Sequence, residues 1–243
     1  LLYADLLKWQ KEYQLTRIRF DEIQGLSRGN IEMGFISALN DGFVVDCIQR
    51  MAESYPWINL NISMNSSEEI SRKIIDAELD FGIILNPKSH NQLEILSFIE
   101  IPLGYVLSPH HTLAGMDKIY LSDTLNERHI MPSEPLVISD YVHTLYKHHK
   151  FNPIQKIECN DIRMITSLIQ QQLGIGLMSY MDALPLLNSK KIVFKPIREK
   201  GMHRLTIALC VASKRQTSRL SQIMVNLLVE KMEEIKLQLK QLP

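Results

Sequence analysis

The sequence has no run of eighteen apolar residues, so it offers no segment suited to crossing a bilayer as a helix. Its amino end lacks the basic region, apolar stretch and small-residue cleavage site of a secretory signal, and no export is expected. Cysteine is scarce. Cys47, Cys159 and Cys210 lie far apart, in no C-x-x-C or metal-ligand spacing. That pattern predicts three reduced, mostly buried thiols in a cytoplasmic protein, with no metal and no cofactor. A surplus of charge is missing as well: 27 Lys and Arg balance 27 Asp and Glu. Nucleic-acid-binding modules normally carry a basic excess, so these residues taken alone are not expected to grip DNA. There is no Walker A sequence, H-E-x-x-H, G-x-S-x-G elbow or paired-carboxylate motif, and an enzyme is not expected. Gly174-Ile175-Gly176 resembles the start of a dinucleotide fingerprint, but Ser179 stands where the third glycine belongs and the glycines precede a strand. The first residue is Leu1, which suggests a fragment or a processed product.

What remains is an ordinary globular balance. The 243 residues are 45% apolar and 22% charged, enough for a sizeable core. Leu2, Leu6, Trp9, Tyr13, Thr16, Phe20 and Ile23 follow one another at spacings of 4, 3, 4, 3, 4 and 3. This a/d seam of period 3.5 predicts a helix that pairs with another copy, closed by Gly25 and Gly29. From Ile31 the pattern changes. Ile31–Ile36 reads as a strand buried on both faces, and a helix from about Asp41 presents Val44, Ile48, Met51, Ala52 and Tyr55 before Pro56 stops it. Leu60, Ile62 and Met64 alternate with polar residues as a second strand. Ser66 and Ser67 open a helix carrying Ile70, Ile74 and Ile75, with Glu68 and Glu69 in its first turn. Phe81–Leu85 is a third strand, and the order implies parallel βαβ units.

Residues 93–107 read as extended, with a short helix near Ser122–Leu125 farther on. The alternation then resumes. Leu136–Ile138 is predicted as a strand, with Ser139 or Asp140 capping the helix of Val142, Leu145 and Tyr146. Ile157 and Cys159 lie in the next strand, with Asn160 or Asp161 as the following cap and Gly174 as the helix terminator. Ile175–Met178, Ile192–Phe194 and Leu205–Val211 are further strands. A closing helix from Thr217 to about Leu239 buries Leu220, Ile223, Leu227, Leu228, Met232 and Ile235. Two βαβαβ halves joined by two extended segments predict two lobes with a cleft between them.

In open parallel sheets ligands bind beyond the carboxyl ends of the strands, where helix N-termini point. That rule collects Ser37, Asn40, Ser66, Ser67 and Asn86 in the first half and Ser139, Asp140, Asn160 and Asp161 in the second. Orphan backbone N–H groups at such ends favour an anion without a basic side chain. Residue by residue, plain helix capping is the better reading, and only their joint convergence on one cleft raises the functional one. The paired histidines His110–His111 and His148–His149, with His143, are read as a solvated face.

Several stretches resemble the effector-binding part of LysR-type transcriptional regulators. Arg28-Gly29-Asn30-Ile31-Glu32-Met33-Gly34 resembles that family's entry into its first strand, and Tyr55-Pro56-Trp57-Ile58-Asn59-Leu60 its approach to the second. Leu79-Asp80-Phe81-Gly82-Ile83 resembles the opening of the third strand, and Gln172-Leu173-Gly174-Ile175-Gly176 the glycine pair. The family's His-Pro-Leu-Ala is here His111-Thr112-Leu113-Ala114, and its Leu-Pro after the glycines is Met178-Ser179. The resemblance implies an α/β fold of two Rossmann-like lobes, type 2 periplasmic-binding-protein-like, joined by two crossover strands and preceded by a long linker helix. On that scheme residues 1–27 are the dimerisation helix, 28–100 and 207–243 form lobe I, and 101–206 form lobe II. It further implies a homodimer or homotetramer that senses a small effector, an organic acid or amino acid, and meets DNA only through an upstream winged helix-turn-helix domain absent here. A solute-binding receptor of a transporter, built on the same fold, is the alternative.

Overall fold

The computed structural model describes residues 9, 16, 29–39, 42–199, 204–213 and 217–240, with Ser37 described by its backbone alone. Of the amino-terminal seam, Trp9 and Thr16 fall within this set; both are helical and exposed. Leu2, Leu6, Tyr13, Phe20, Ile23 and the closing Gly25 lie outside it, as do Asn40 and Asp41. The chain divides into two compact units: unit 1 is Leu1–Ile99 with Thr206–Gln238, and unit 2 is Glu100–Leu205 with Leu239–Pro243.

Unit 1 is built on a five-stranded sheet in the order β2-β1-β3-β10-β4, where β1 is Gly29–Phe35, β2 Ile58–Met64, β3 Phe81–Leu85, β4 Leu93–Ile101 and β10 Leu205–Ala212. Both β2 and β3 run parallel to β1, on its two sides. Helix α1 (Phe43–Ser54) joins β1 to β2, and α2 (Ser67–Ile75) joins β2 to β3. The two crossovers proceed in opposite directions along the sheet, so right-handed connections put α1 and α2 on opposite faces. Gly34 and Gly82 lie beneath α2, where an added Cβ would meet Ile70, Ile74 or Leu79, so side-chain-free strand positions let the helix sit close. On α1 the buried face is Phe43, Val44, Cys47 and Met51. Ile48 and Ala52, expected on that face, are half-buried and exposed. Apolar spacing cannot separate two stripes one residue apart, and contact with the last helix chose between them. That helix, α6 (Arg219–Lys240), buries Ser221, Met224 and Val225 along with Leu220, Leu228, Met232 and Ile235, while Ile223 and Leu227 are only half-buried. Cys47 Sγ lies 3.6 Å from the Leu227 carbonyl oxygen, which ties α1 to α6.

Asp80 binds the lower end of unit 1 together. Its Oδ2 accepts from Glu32 N–H at 3.0 Å and from the Ser221 hydroxyl at 3.2 Å. Ser218 Oγ accepts the Ser221 N–H at 3.0 Å, capping α6 as it starts.

Unit 2 contains β5 (Leu103–Leu107) flanked by β8 (Gly176–Ser179) and β9 (Val193–Pro196), both antiparallel to it. Strands β6 (Arg128–Pro132) and β7 (Gln155–Cys159) pair in parallel. A parallel bridge between His129 and Ile175 attaches this pair beside β8. Three helices complete the unit: α3 (Val137–His148), α4 (Ile162–Gln170) and α5 (Tyr180–Asn188).

Several expectations for this half are corrected. The strand foreseen at Leu136–Ile138 is the start of α3, whose N-cap is Leu136; the actual strand is β6. Three apolar residues in a row do not distinguish strand from helix, and β6 carries Arg128, His129 and Pro132, which hid it. Ser139 and Asp140 therefore stand in the first turn of α3 and cap nothing. Of the two caps expected for α4, Asn160 or Asp161, the structure uses Asp161. It does not end on Gly174 but on Gln172 at φ 60°, whose N–H donates to Ile169 O while Leu173 N–H reaches Leu168 O. Gly174 serves a different need: a Cβ there would strike the Arg128 carbonyl oxygen, so glycine lets this chain reach β6. Helix α5 went unforeseen because Pro185 and a run of apolar residues conceal its period.

Candidate functional site

In unit 1, the parallel strands β1, β2 and β3 deliver their carboxyl ends to one edge of the sheet, and the candidates of the first half follow those ends directly. After β1 comes a short 3-10 turn, Ser37–Leu39. The Ser37 side chain and Asn40 fall outside the described set. After β2, Asn65 N–H donates to the Phe35 carbonyl at 3.1 Å, so β1 and β2 end in register. Ser66 is then the N-cap of α2, its Oγ accepting Glu69 N–H at 3.3 Å. Its side chain is exposed, as the capping-box pattern in the sequence implies.

Ser67 and Asn86 do more than line an edge. Strand β3 pairs with β1 only as far as Ile83 opposite Phe35. Leu85 has outrun that partner, and its N–H donates to Ser67 Oγ at 3.0 Å instead. Asn86 follows in the left-handed region, at φ 47°. Its N–H donates to Thr206 O at 2.6 Å, and its Oδ1 accepts Thr206 N–H at 2.8 Å.

The charges around this edge balance locally. Glu68 and Glu69 occupy the first turn of α2, where the helix dipole favours anions. Lys88 Nζ is 3.1 Å from Glu68 and Lys73 Nζ is 3.6 Å from Glu69. Further anion binding at this edge would fall to backbone N–H groups and hydroxyls.

In unit 2, the parallel strands β6 and β7 end at Pro132 and Cys159, linked by Ser133 N–H donating to the Cys159 carbonyl at 2.9 Å. Asn160 is exposed directly after β7, beside the Asp161 cap, whose Oδ1 accepts Met164 N–H at 2.7 Å. Asp140 is exposed on α3, and Ser139 is 2% exposed and turned into the unit. The polar residues at the carboxyl ends of β6, β7 and β8 are Ser133 and Asn160, directly past their strands, and Ser179, the last residue of β8; Ser133 and Ser179 were not among the candidates. Ser133 was lost with the misplaced strand. Ser179 was signalled by Ser179-Tyr180-Met181-Asp182, a capping-box spacing ahead of apolar residues.

Ser179 and Asp182 form a compact polar pair at the joint of β8 and α5. Asp182 N–H donates to Ser179 Oγ at 3.2 Å, and that hydroxyl donates to Asp182 Oδ2 at 2.6 Å. Burial pushes the Asp182 carboxyl up to about 6, against the pull of the two serine hydrogen bonds. Deeper in unit 2, His129 is 1% exposed. Its Nε2 lies 2.8 Å from the Thr124 carbonyl, which fixes the proton there, so Nδ1 accepts from the Tyr146 hydroxyl at 2.7 Å. Tyr105 Oη joins through Thr124 Oγ1 at 3.0 Å. Burial lowers the His129 pKa. With both ring nitrogens used, this histidine builds the core. Among the described residues, no cluster of three or more His, Cys, Asp or Glu could hold a metal, and no helix is long and apolar enough to cross a membrane.

Comparison with known proteins matches this arrangement to one family. An HTH-type transcriptional regulator of Bacillus subtilis, YwbI, is 22% identical over 158 residues, 65% of this chain and 52% of its own length. The transcriptional activator CmpR of Synechocystis is 24% identical over 168 residues, 69% of this chain and 55% of its own. The chain spans about half the length of the curated relatives it matches. Among solved structures, the regulatory domain of Synechocystis CcmR in complex with 2-PG superposes at TM-score 0.66, with 19% identity over 85% of this chain and 99% of that one. The QuiR effector-binding domain with shikimate superposes at 0.61, with 19% identity over 86% and 99%. The BenM effector-binding domain with benzoate superposes at 0.62, with 16% identity over 85% and 91%. The fold is thus that of the type 2 periplasmic-binding-protein-like effector domains. The profile of the LysR substrate binding domain matches residues 24–233, and the chain belongs to that family.

Proposed function

We propose that this chain is the effector-sensing part of a LysR-type transcriptional regulator and that its effector is a small organic acid. The observation that carries the proposal is the edge of unit 1 where β1, β2 and β3 end together and α2 begins under the Ser66 cap. Such an edge presents the backbone N–H groups of a helix start, and hydroxyls, to a carboxylate. Shikimate and benzoate, bound by the similar QuiR and BenM domains, are ligands of this class. In this reading Ser66, with Ser37 and Asn40, contacts the acid, while Asn160 and Asp140 are the contacts for hydroxyl or amine groups. The intact regulator works as a cytoplasmic homodimer or homotetramer, paired through Leu2, Leu6, Trp9, Tyr13, Phe20 and Ile23. Its DNA contact lies outside these charge-balanced residues. An effector controls such a protein only through unequal affinity for two arrangements of it.

Calorimetry with a panel of aliphatic and aromatic carboxylates, amino acids and sugars tests the reading. At least one carboxylate is expected to bind saturably. Ser66→Gly, which keeps most of the cap's stability, is expected to weaken that binding about tenfold, the worth of one hydrogen bond to a charged group. Binding of sugars alone, or equal carboxylate affinity in the variant, would overturn it.

A further inference from the structure

The chain passes between the units at Ile99–Glu100, Leu205–Thr206 and Gln238–Leu239. At the second of these crossings the returning segment enters unit 1 as β10, between β3 and β4. Strand β10 pairs with β3 from Val211 opposite Phe81 down to Ile207 opposite Leu85. The next register pair is Thr206 opposite Asn86. In a regular antiparallel ladder these two residues would exchange two backbone hydrogen bonds. Only one survives, Asn86 N–H to Thr206 O at 2.6 Å. Asn86 has left the extended conformation for φ 47°, which turns its carbonyl out of the ladder. Its side-chain Oδ1 takes the vacated place and accepts Thr206 N–H at 2.8 Å.

We infer that Asn86 is a positioning residue. It terminates β3 and at the same time replaces its own carbonyl with its amide oxygen, so that Thr206, one residue beyond the last register pair Ile207–Leu85, is still held to the β3 side of β10. Two properties of the side chain are needed together. Asparagine tolerates the left-handed region better than other residues that carry a Cβ, and its carbonyl oxygen has the reach of a backbone acceptor. Glycine supplies the first property alone. Aspartate supplies both. Ser67 supports the arrangement from the other side, since its Oγ holds Leu85 N–H at 3.0 Å. The consequence is mechanical. The tie between β3 and β10 runs one residue closer to the crossing at Leu205–Thr206 than the backbone register alone carries it. The sequence singled out Asn86 as a ligand contact; here its Oδ1 is engaged within the fold. The inference does not depend on the effector reading, since it concerns the unliganded chain.

Residue-resolved hydrogen exchange by NMR on the unliganded chain tests it. In Asn86→Gly the Thr206 amide is expected to exchange roughly three- to tenfold faster, the factor for one lost hydrogen bond. The amides of Leu209 and Cys210, deeper in the same strand, keep their wild-type rates. Asn86→Asp is expected to restore Thr206 to within about twofold of wild type. Unchanged Thr206 exchange in Asn86→Gly would overturn the inference. So would an equal acceleration of Thr206, Leu209 and Cys210, which reports general loosening, or a failure of Asn86→Asp to rescue.

Discussion

Replacing Asp182 with Asn is expected to stabilise the protein at neutral pH and to leave it nearly unchanged in mild acid. The carboxyl lies at the first turn of α5 with a hydroxyl 2.6 Å from Oδ2, and burial lifts its pKa from 3.8 to about 6. A raised carboxyl pKa means that the folded state prefers the protonated form. The stabilisation this provides is complete below about pH 4 and is lost as pH rises through about 6. The lift corresponds to about 3 kcal/mol at 1.36 kcal/mol per pKa unit. About a fifth of this penalty is already present at pH 4, so about 2 kcal/mol of it develops between pH 4 and 7.5. Asparagine keeps an acceptor for the Ser179 hydroxyl and carries no charge. The assay is urea unfolding of wild type and Asp182→Asn at half-unit steps from pH 4 to 7.5, compared as a difference so that other titrations cancel. The stability advantage of the variant should grow by about 2 kcal/mol across that range and level off above pH 7. A difference that stays flat with pH, or a variant less stable than wild type at pH 7.5, would refute the reasoning.

Two further outcomes follow from unit 2. Because burial lowers the His129 pKa, the folded state prefers the neutral ring, and stability is lost as pH falls below the unfolded value near 6.5. His129→Phe should remove that acid dependence while lowering stability at pH 8 by about 2 kcal/mol, since Tyr146 and Thr124 lose their partners; denaturant midpoints at pH 8 and 5 measure both effects. Gly174→Ala places a methyl group against the Arg128 carbonyl and should cost about 1–3 kcal/mol, visible as a lowered melting temperature, whereas Gly115→Ala, with open space around it, should be close to neutral.

Unit 1 was largely legible because its elements carry strong local periods. Ile31–Ile36 and Phe81–Leu85 are uninterrupted apolar runs, and Ser66 with Glu69 marks a helix start that the fold uses as such. The parallel order of β1, β2 and β3 followed from the intervening helices. Legibility failed where the local signal was ambiguous. Leu136-Val137-Ile138 satisfies strand and helix equally, and β6 contains the buried His129, whose polarity is tolerable because Thr124 and Tyr146, 5 and 17 residues away, satisfy both ring nitrogens. Spacing also placed Ser66, Ser67 and Asn86 alike past strand ends, yet could not separate their tasks. Ser66 caps its own helix, a contact within three residues. Ser67 and Asn86 reach partners 18 and 120 residues away. Contacts along the helix or strand are written in the sequence because covalent geometry fixes them. Contacts such as Asn86 with Thr206 exist only after the sheet has assembled, and so tertiary structure alone decided which of these polar residues serve the fold.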